Sequence, residues 1–378
     1  MSNVRFVGLD VHKDSIVIAI ADAGDAPAEV FSRILWDEHQ LLKTLRKLGP
    51  LTSLRVCYEA GPTGYGLQRF LAAAGVDCIV VAPSLIPETN SRVKTDRRDA
   101  CKLARFLRSG DLTSIWIPDE QTEALRDLER ARDDARLAER RIKQQLLKFL
   151  LRHSRVFTAG KTLWTKTHWA WIRRQKFEHE AQSRVLADAI QTATQAADRI
   201  ARLNQDIHEC VQEWALAPLV QNLQSLHGVR ELTATVIAAE IGDFQRFSSA
   251  GKLMAFVGLI PSEHSSGASR RQGGITKSGN RHVRRLLIEA AWQYYHAPAQ
   301  ASAALMTRRE GLPENIVVIA ENALRRLRKK SRMMQRNRKS AKKIVAALAR
   351  ELTGFIWAIG QATNLTQQHQ RCLPTQTT

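Results

Sequence analysis

Apolar residues come in short runs over the first third of the chain and at three- and four-residue steps beyond it. Val4-Arg5-Phe6-Val7-Gly8-Leu9 and Leu54-Arg55-Val56-Cys57-Tyr58 are compact and rich in β-branched and aromatic residues, as buried strands are. The pattern predicts strands at 4–11, 15–21, 54–59 and 77–82, and helices at 38–48, 64–74 and 95–109. Gly75 and Pro83 punctuate these elements, and Ile115-Trp116-Ile117-Pro118 leads out of them. Strands alternating with helices in this way make an α/β layer over residues 1–118.

From 119 the period changes. Leu128, Ala131, Ala135, Ala138, Ile142, Gln145 and Phe149 follow coiled-coil steps, and a cleaner seam runs through Leu186, Ile190, Ala193, Ala197, Ile200, Asn204, Ile207, Val211 and Trp214. Residues 119–217 are therefore expected to form long helices that pair with each other or with a second copy, Asn204 fixing the register. Between them, 161–174 interleaves Trp164, Trp169 and Trp171 with Lys and Arg, which suits either core packing or stacking on nucleic acid.

Residues 218–310 read as a further, mainly helical domain. Ser225–Asp243 resembles either a helix-hairpin-helix around Gly228 or an ordinary αα-hairpin. The stretch 265–280 is expected to be a long Ser/Gly/basic loop, with Asn280 capping the next helix. The cations Arg270, Arg271 and Lys277 within it, and Arg281 and Arg284 just after it, suit a phosphate backbone. Residues 311–378 form a basic helical extension: from Ala323 to Lys343 there are many cations, Arg325, Arg326, Lys329 and Lys330 among them, and no acid. The tail after Thr363 is Gln/Thr-rich, a composition typical of disorder.

Charge sharpens the picture. The 378 residues carry 57 Lys+Arg against 37 Asp+Glu, a formal charge of +20, which favours a polyanionic partner and salt-sensitive binding. The five cysteines are scattered without a Cys-x-x-Cys pair, so neither a zinc site nor a disulfide framework follows. No run approaches the roughly 18 apolar residues of a membrane span, and the expected setting is the cytoplasm, in association with the nucleoid.

Four acids carry the candidate chemistry. Asp10 lies near the end of the first strand and Glu59 ends the third, while Asp96 and Asp99, three apart at a helix start, share one face. Singly, each is an ordinary solvated acid or a charge favoured by a helix N-terminus. Jointly they are costly unless neutralised, because two of them end strands expected to be buried. Clusters of this kind hold hard divalent cations, Mg²⁺ (or Mn²⁺), as two-metal phosphoryl-transfer sites do.

Taken together, Gly8-Leu9-Asp10-Val11-His12-Lys13, Tyr58-Glu59-Ala60-Gly61-Pro62-Thr63-Gly64, Lys94-Thr95-Asp96-Arg97-Arg98-Asp99-Ala100, and Gly258-Leu259-Ile260-Pro261 with Ser266-Gly267 and Lys277-Ser278-Gly279 resemble one family. It is that of the DEDD transposases of bridge-RNA-guided insertion sequences, numbered one-hundred-ten, and the resemblance covers roughly residues 4–310. It implies an RNase H-like fold of the Holliday-junction-resolvase type, with Asp10, Glu59, Asp96 and Asp99 as metal ligands. It also implies a coiled coil, then a second transposase domain in which Ser266, or its neighbour Ser265, attacks DNA to form a phosphoserine link. Partners implied are element-end and target DNA, a structured noncoding guide RNA, and further copies of the chain, dimers assembling into tetramers with active sites composed across protomers. Three rival readings stay open on the residues alone: a metal-only junction nuclease, an actin-like sugar kinase opening on Gly-x-Asp, and a non-catalytic DNA-binding protein.

Overall fold

A computed structural model describes residues 4–87, 95–266 and 269–372, with backbone only at 264–271 and 364–372. The chain divides into two compact units, Met1–Ile117 and Pro118–Thr378.

In the first unit, β1 (Arg5–Val11), β2 (Ser15–Ala21) and β3 (Glu29–Leu35) form an antiparallel meander. After α1 (Glu38–Arg46), β4 (Leu54–Glu59) pairs parallel with β1; after α2 (Gly66–Ala73), β5 (Asp77–Val81) pairs parallel with β4. The sheet order is β3-β2-β1-β4-β5. Ile16, Ile18, Val56 and Val80 bury one face in a core shared with Leu41, Leu45, Leu67 and Leu71 of α1 and α2. On the other face α3 (Asp96–Ser109) packs Ala100 and Ala104 against Val17 and Ala19, and Leu103 and Leu107 against Cys57 and Val81. This mixed α/β layer fits the RNase H-like architecture that the resemblance implies. Sequence pattern missed β3. It is an edge strand in which Phe31, Arg33 and Leu35 are exposed, so it offers no apolar run to read.

The second unit is helical apart from one hairpin. Its helices are α4 (Glu120–Arg152), α5 (Lys166–Arg173), α6 (Glu180–Gln212), α7 (Ala217–Leu223), α8 (Glu231–Ile241), α9 (Ala250–Phe256), α10 (Arg281–Tyr295), α11 (Ala303–Thr307), α12 (Glu314–Arg336) and α13 (Ala341–Cys372). Helix α13 thus runs past Thr363, and residues 373–378 lie outside the described part. A single core gathers Ile237 and Ile241 of α8 with Val283 and Leu287 of α10, Leu324 and Leu327 of α12, and Leu348 and Leu352 of α13.

Helices α4 and α6 lie against each other within one chain, although not along a continuous apolar seam. At one end Leu125, Ile207, Val211 and Trp214 join the main core. At the other, Leu146, Leu150 and Leu186 close a separate cluster with Ile172 of α5. Midway, Arg132 Nε donates to Asn204 Oδ1 at 3.0 Å, and Ala197 of the expected seam is exposed. Trp164, Trp169 and Trp171 pack on the far cluster, so the Trp-rich segment serves as a core for the hairpin's tip.

Candidate functional site

The acidic site follows from strand order. β1 and β4 are parallel neighbours with Leu9 opposite Tyr58, so Asp10 and Glu59 arrive at the same end of the sheet. The turn after Glu59 is tied back by Tyr58, whose hydroxyl donates to the Gly64 carbonyl at 3.1 Å. Thr95 caps α3, its side chain accepting from Arg98 N–H, which sets Asp96 and Asp99 in the first helical turn.

Asp10, Glu59, Asp96 and Asp99 line one open cleft of about 970 Å³, together with His12, Lys13 and Trp36. Within it, donor atoms of Asp10, His12 and Asp96 all lie within 4.8 Å of one another. His12 Nε2 is 3.1 Å from Asp10 Oδ2 and 3.6 Å from Asp96 Oδ1. Partial burial pushes the Asp10 carboxyl above its ordinary range; His12 opposes this, while the negative charges of Asp96 and Asp99 add to it. Carboxylates lining one cleft, with Asp10 and Asp96 donors close together, suit a hard divalent cation, and the residues present fit one.

The serine segment is a hairpin where a long loop was expected. β6 (Pro261–Ser266) pairs antiparallel with β7 (Ser269–Ile275), and Ser266, the last residue of β6, is opposite Ser269. Gly267 and Ala268, and the side chains of Ser265, Ser266, Arg270 and Arg271, lie outside the described residues. The stem is firmly built. Thr276 N–H donates to Ile260 O at 2.9 Å and Lys277 N–H to Gly258 O at 3.1 Å. Gly258 and Gly279 both have left-handed backbones. A Cβ on the first would come within 2.0 Å of Ser278 O, and one on the second within 1.9 Å of Phe256 O.

Arg284 departs from its expected role. Only 9% exposed, its Nη1 donates to Val257 O and Ser278 O, both at 2.9 Å, so the guanidinium clamps the stem from below. Asn280 caps α10, accepting from Val283 N–H at 3.0 Å, and donates to the buried Glu240 at 2.9 Å. Glu240 also meets Arg130 of α4 at 3.0 Å. Lys277 and Arg281 are exposed.

On α12 the cations are not equivalent. Its apolar face, with Ala323, Leu324 and Leu327, is buried. Arg326 and Lys330 are paired with Glu351 of α13, an acid that a scan of 323–343 could not reveal. Arg325 and Lys329 are exposed. Between α7 and α8, Gly228 takes a left-handed conformation 2.7 Å, at its would-be Cβ, from Ala290 O, so the turn is packed tightly onto α10. Among the described residues no helix is long and apolar enough to cross a membrane.

Two family models match the chain: DEDD transposases of the IS110 type over residues 7–154, and the IS116/IS110/IS902 transposase family over residues 220–305. A protein of Sinorhizobium fredii with a transposase name, y4qE, is 40% identical over 364 residues, 96% of this chain and 90% of its own length. The transposase for insertion sequence element IS1533 of Leptospira borgpetersenii is 34% identical over 351 residues, covering 90% of this chain and 99% of that protein. That for IS1328 of Yersinia enterocolitica is 24% identical over 301 residues, 78% and 85% of the two chains.

Proposed function

Because the chain belongs to the IS110 family of DEDD transposases, we propose that its acidic cleft and its serine hairpin together cut and rejoin DNA. It is a DNA transposase; the proposal concerns how this chain carries out the reaction. Asp10, Glu59, Asp96 and Asp99 would hold Mg²⁺ (or Mn²⁺) in the first unit, where the cation would supply Lewis-acid polarisation and charge neutralisation. Ser266 supplies the nucleophile. Its Oγ forms a bond to phosphorus as a P–O bond to deoxyribose breaks, and the serine proton ends on the displaced sugar oxygen. Attack on the phosphoserine by a hydroxyl of the new strand restores the serine and joins the DNA. Lys277 and Arg281, exposed beside the stem, with Arg270 and Arg271 on β7, lie against the phosphate backbone. A structured RNA from the element selects the sites, and copies of the chain assemble on element-end and target DNA.

One observation carries this reading: three chain segments distant in sequence deliver Asp10, Glu59, and the Asp96–Asp99 pair to a single cleft. The test is cleavage of labelled element-end DNA by the full chain with its RNA. Activity should require Mg²⁺ or Mn²⁺, and Asp10→Asn, Glu59→Gln, Asp96→Asn or Asp99→Asn should each abolish it without loss of DNA binding. A variant that still cleaves at near-normal rate removes that residue from the site.

A further inference from the structure

We infer that His12 is a protein ligand of the divalent cation, beside Asp10 and Asp96, and that it biases the site toward Mn²⁺ over Mg²⁺. The inference rests on the metal-binding reading of the cleft and adds to it a nitrogen donor that the acidic quartet lacks. Geometry comes first. Oxygen and nitrogen ligands of a small octahedral ion sit about 2.0–2.2 Å from it, so adjacent donors are roughly 3 Å apart. His12 Nε2 stands 3.1 Å from Asp10 Oδ2 and 3.6 Å from Asp96 Oδ1, on that scale for both. An incidental surface pair needs one partner; here a single nitrogen faces carboxylates from two different elements, β1 and α3.

The backbone keeps it there. His12 N–H donates to Ser15 O at 2.9 Å in the short turn from β1 to β2, so the ring hangs from a fixed point two residues beyond Asp10. Ligation through Nε2 uses the imidazole tautomer that carries its hydrogen on Nδ1. A neutral donor also suits the electrostatics, since it adds a ligand without adding a negative charge to Asp10, Glu59, Asp96 and Asp99. Mg²⁺ prefers oxygen, whereas imidazole favours first-row transition ions, hence the bias.

The experiment uses the full chain and Mn²⁺ alone. Loss of the free-ion electron paramagnetic resonance signal measures affinity, and pulsed spectra report whether nitrogen is bound to the manganese. Wild type should show a nitrogen hyperfine coupling. His12→Ala should lose it and bind Mn²⁺ at least about tenfold more weakly, since even groups one shell further out cost that much. Mg²⁺ affinity, measured by competition, should fall less. A wild-type spectrum without nitrogen coupling, or undiminished Mn²⁺ binding by His12→Ala, overturns the assignment. Asp10→Asn and Asp96→Asn separate this failure from that of the cleft. If they lose Mn²⁺ while His12→Ala keeps it, only the histidine is refuted; if they too bind as wild type, the metal reading itself falls. His12 is half-exposed, with a side chain 54% accessible, and circular dichroism of each variant excludes unfolding as the cause.

Discussion

Gly8 of β1 lies directly beneath the α3 backbone at Ala100. A Cβ placed on Gly8 would come within 2.3 Å of the Ala100 carbonyl oxygen and 2.4 Å of Ala104 N. The glycine is not needed for its torsion angles, since it sits in a regular strand. It is needed because the helix that carries Asp96 and Asp99 must approach the strand that carries Asp10. Sheet and helix meet backbone to backbone, and the carboxylates two residues along the strand and one turn back along the helix reach the same cleft.

Gly8→Ala should therefore damage the site from a distance. The added methyl forces α3 outward, an overpacking cost of about 1–3 kcal/mol. Metal binding and strand cleavage should fall more steeply than stability, because a shift on the order of 1 Å spoils a catalytic geometry. Thermal unfolding and Mn²⁺ titration of the same sample check this; a variant with native metal affinity would show that α3 can yield without moving Asp96.

The motifs around the site were legible where chemistry follows local pattern. Asp10 and Glu59 end apolar runs, and Thr95 before Asp96 and Asp99 is a readable helix start. What stayed hidden is what depends on neighbours distant in sequence. His12 reads as a turn residue until α3 brings Asp96 beside it. Arg284 reads as one of several cations suited to phosphate, yet the Val257 and Ser278 carbonyls take its hydrogen bonds. The basic stretch 323–343 contains no acid, but Glu351 folds back onto Arg326 and Lys330 from the next helix. Edge strand β3 has no continuous apolar run, and the α4–α6 seam is broken by the Arg132–Asn204 contact at its middle.

The stem of the serine hairpin should be as sensitive as its tip. Gly258 and Gly279, far apart in the sequence motif, face each other's flanking backbone across the stem. Gly279→Ala combines left-handed strain of roughly 1–2 kcal/mol with a clash against Phe256 O. The expected outcome is a lower Tm and loss of DNA cleavage with metal binding at the first unit unchanged. Arg284→Lys, which keeps the charge but not the planar group that sets Nη1 between the Val257 and Ser278 carbonyls, should weaken cleavage in the same direction. Unaltered cleavage by both variants would show that the stem does not position the nucleophile.

A pH effect arises where α4 meets α10. His282 Nε2 is 2.6 Å from the buried carboxylate of Glu129, and that hydrogen bond raises the histidine above its ordinary range despite burial, with Asp133 adding to it and Arg285 opposing. Because the folded state binds the proton more tightly, the pair's stabilisation is complete below the unfolded value of about 6.5. It is lost as pH rises through the higher folded value. Tm should accordingly decline as the solution is taken upward from about pH 6.5, and His282→Gln should flatten that part of the profile. An unchanged slope in the variant would assign the decline elsewhere.

Salt should separate the cations of α12. If this helix tracks a phosphate backbone, replacing exposed Arg325 or Lys329 by Ala should lower the slope of log affinity against log salt by about one each. Arg326→Ala and Lys330→Ala should change it less, because Glu351 already neutralises part of their charge. Fluorescence anisotropy with a noncoding RNA or DNA duplex across a salt series measures all four. Equal slopes for wild type and all variants would place the nucleic acid on another face.

The proposed covalent step gives the sharpest test. A serine hydroxyl attacks a phosphodiester only when its proton can leave and the charge developing on phosphorus is met by nearby cations. Ser266 ends β6 at the hairpin tip, with Arg270 and Arg271 following on β7 and Lys277 beyond it as candidates to meet that charge. Its stem is fixed by Arg284 and the two glycines. Ser266→Ala should keep RNA and DNA binding, keep the metal site, and lose both cleavage and adduct. Ser265→Ala and Ser269→Ala should retain both. Labelled DNA incubated with the full chain, denatured and resolved by size reveals the adduct, and peptide mapping locates it. An adduct that persists in Ser266→Ala, or that maps to Ser265, would reassign the nucleophile, whereas cleavage with no adduct in any variant would return the chemistry to the acidic cleft alone.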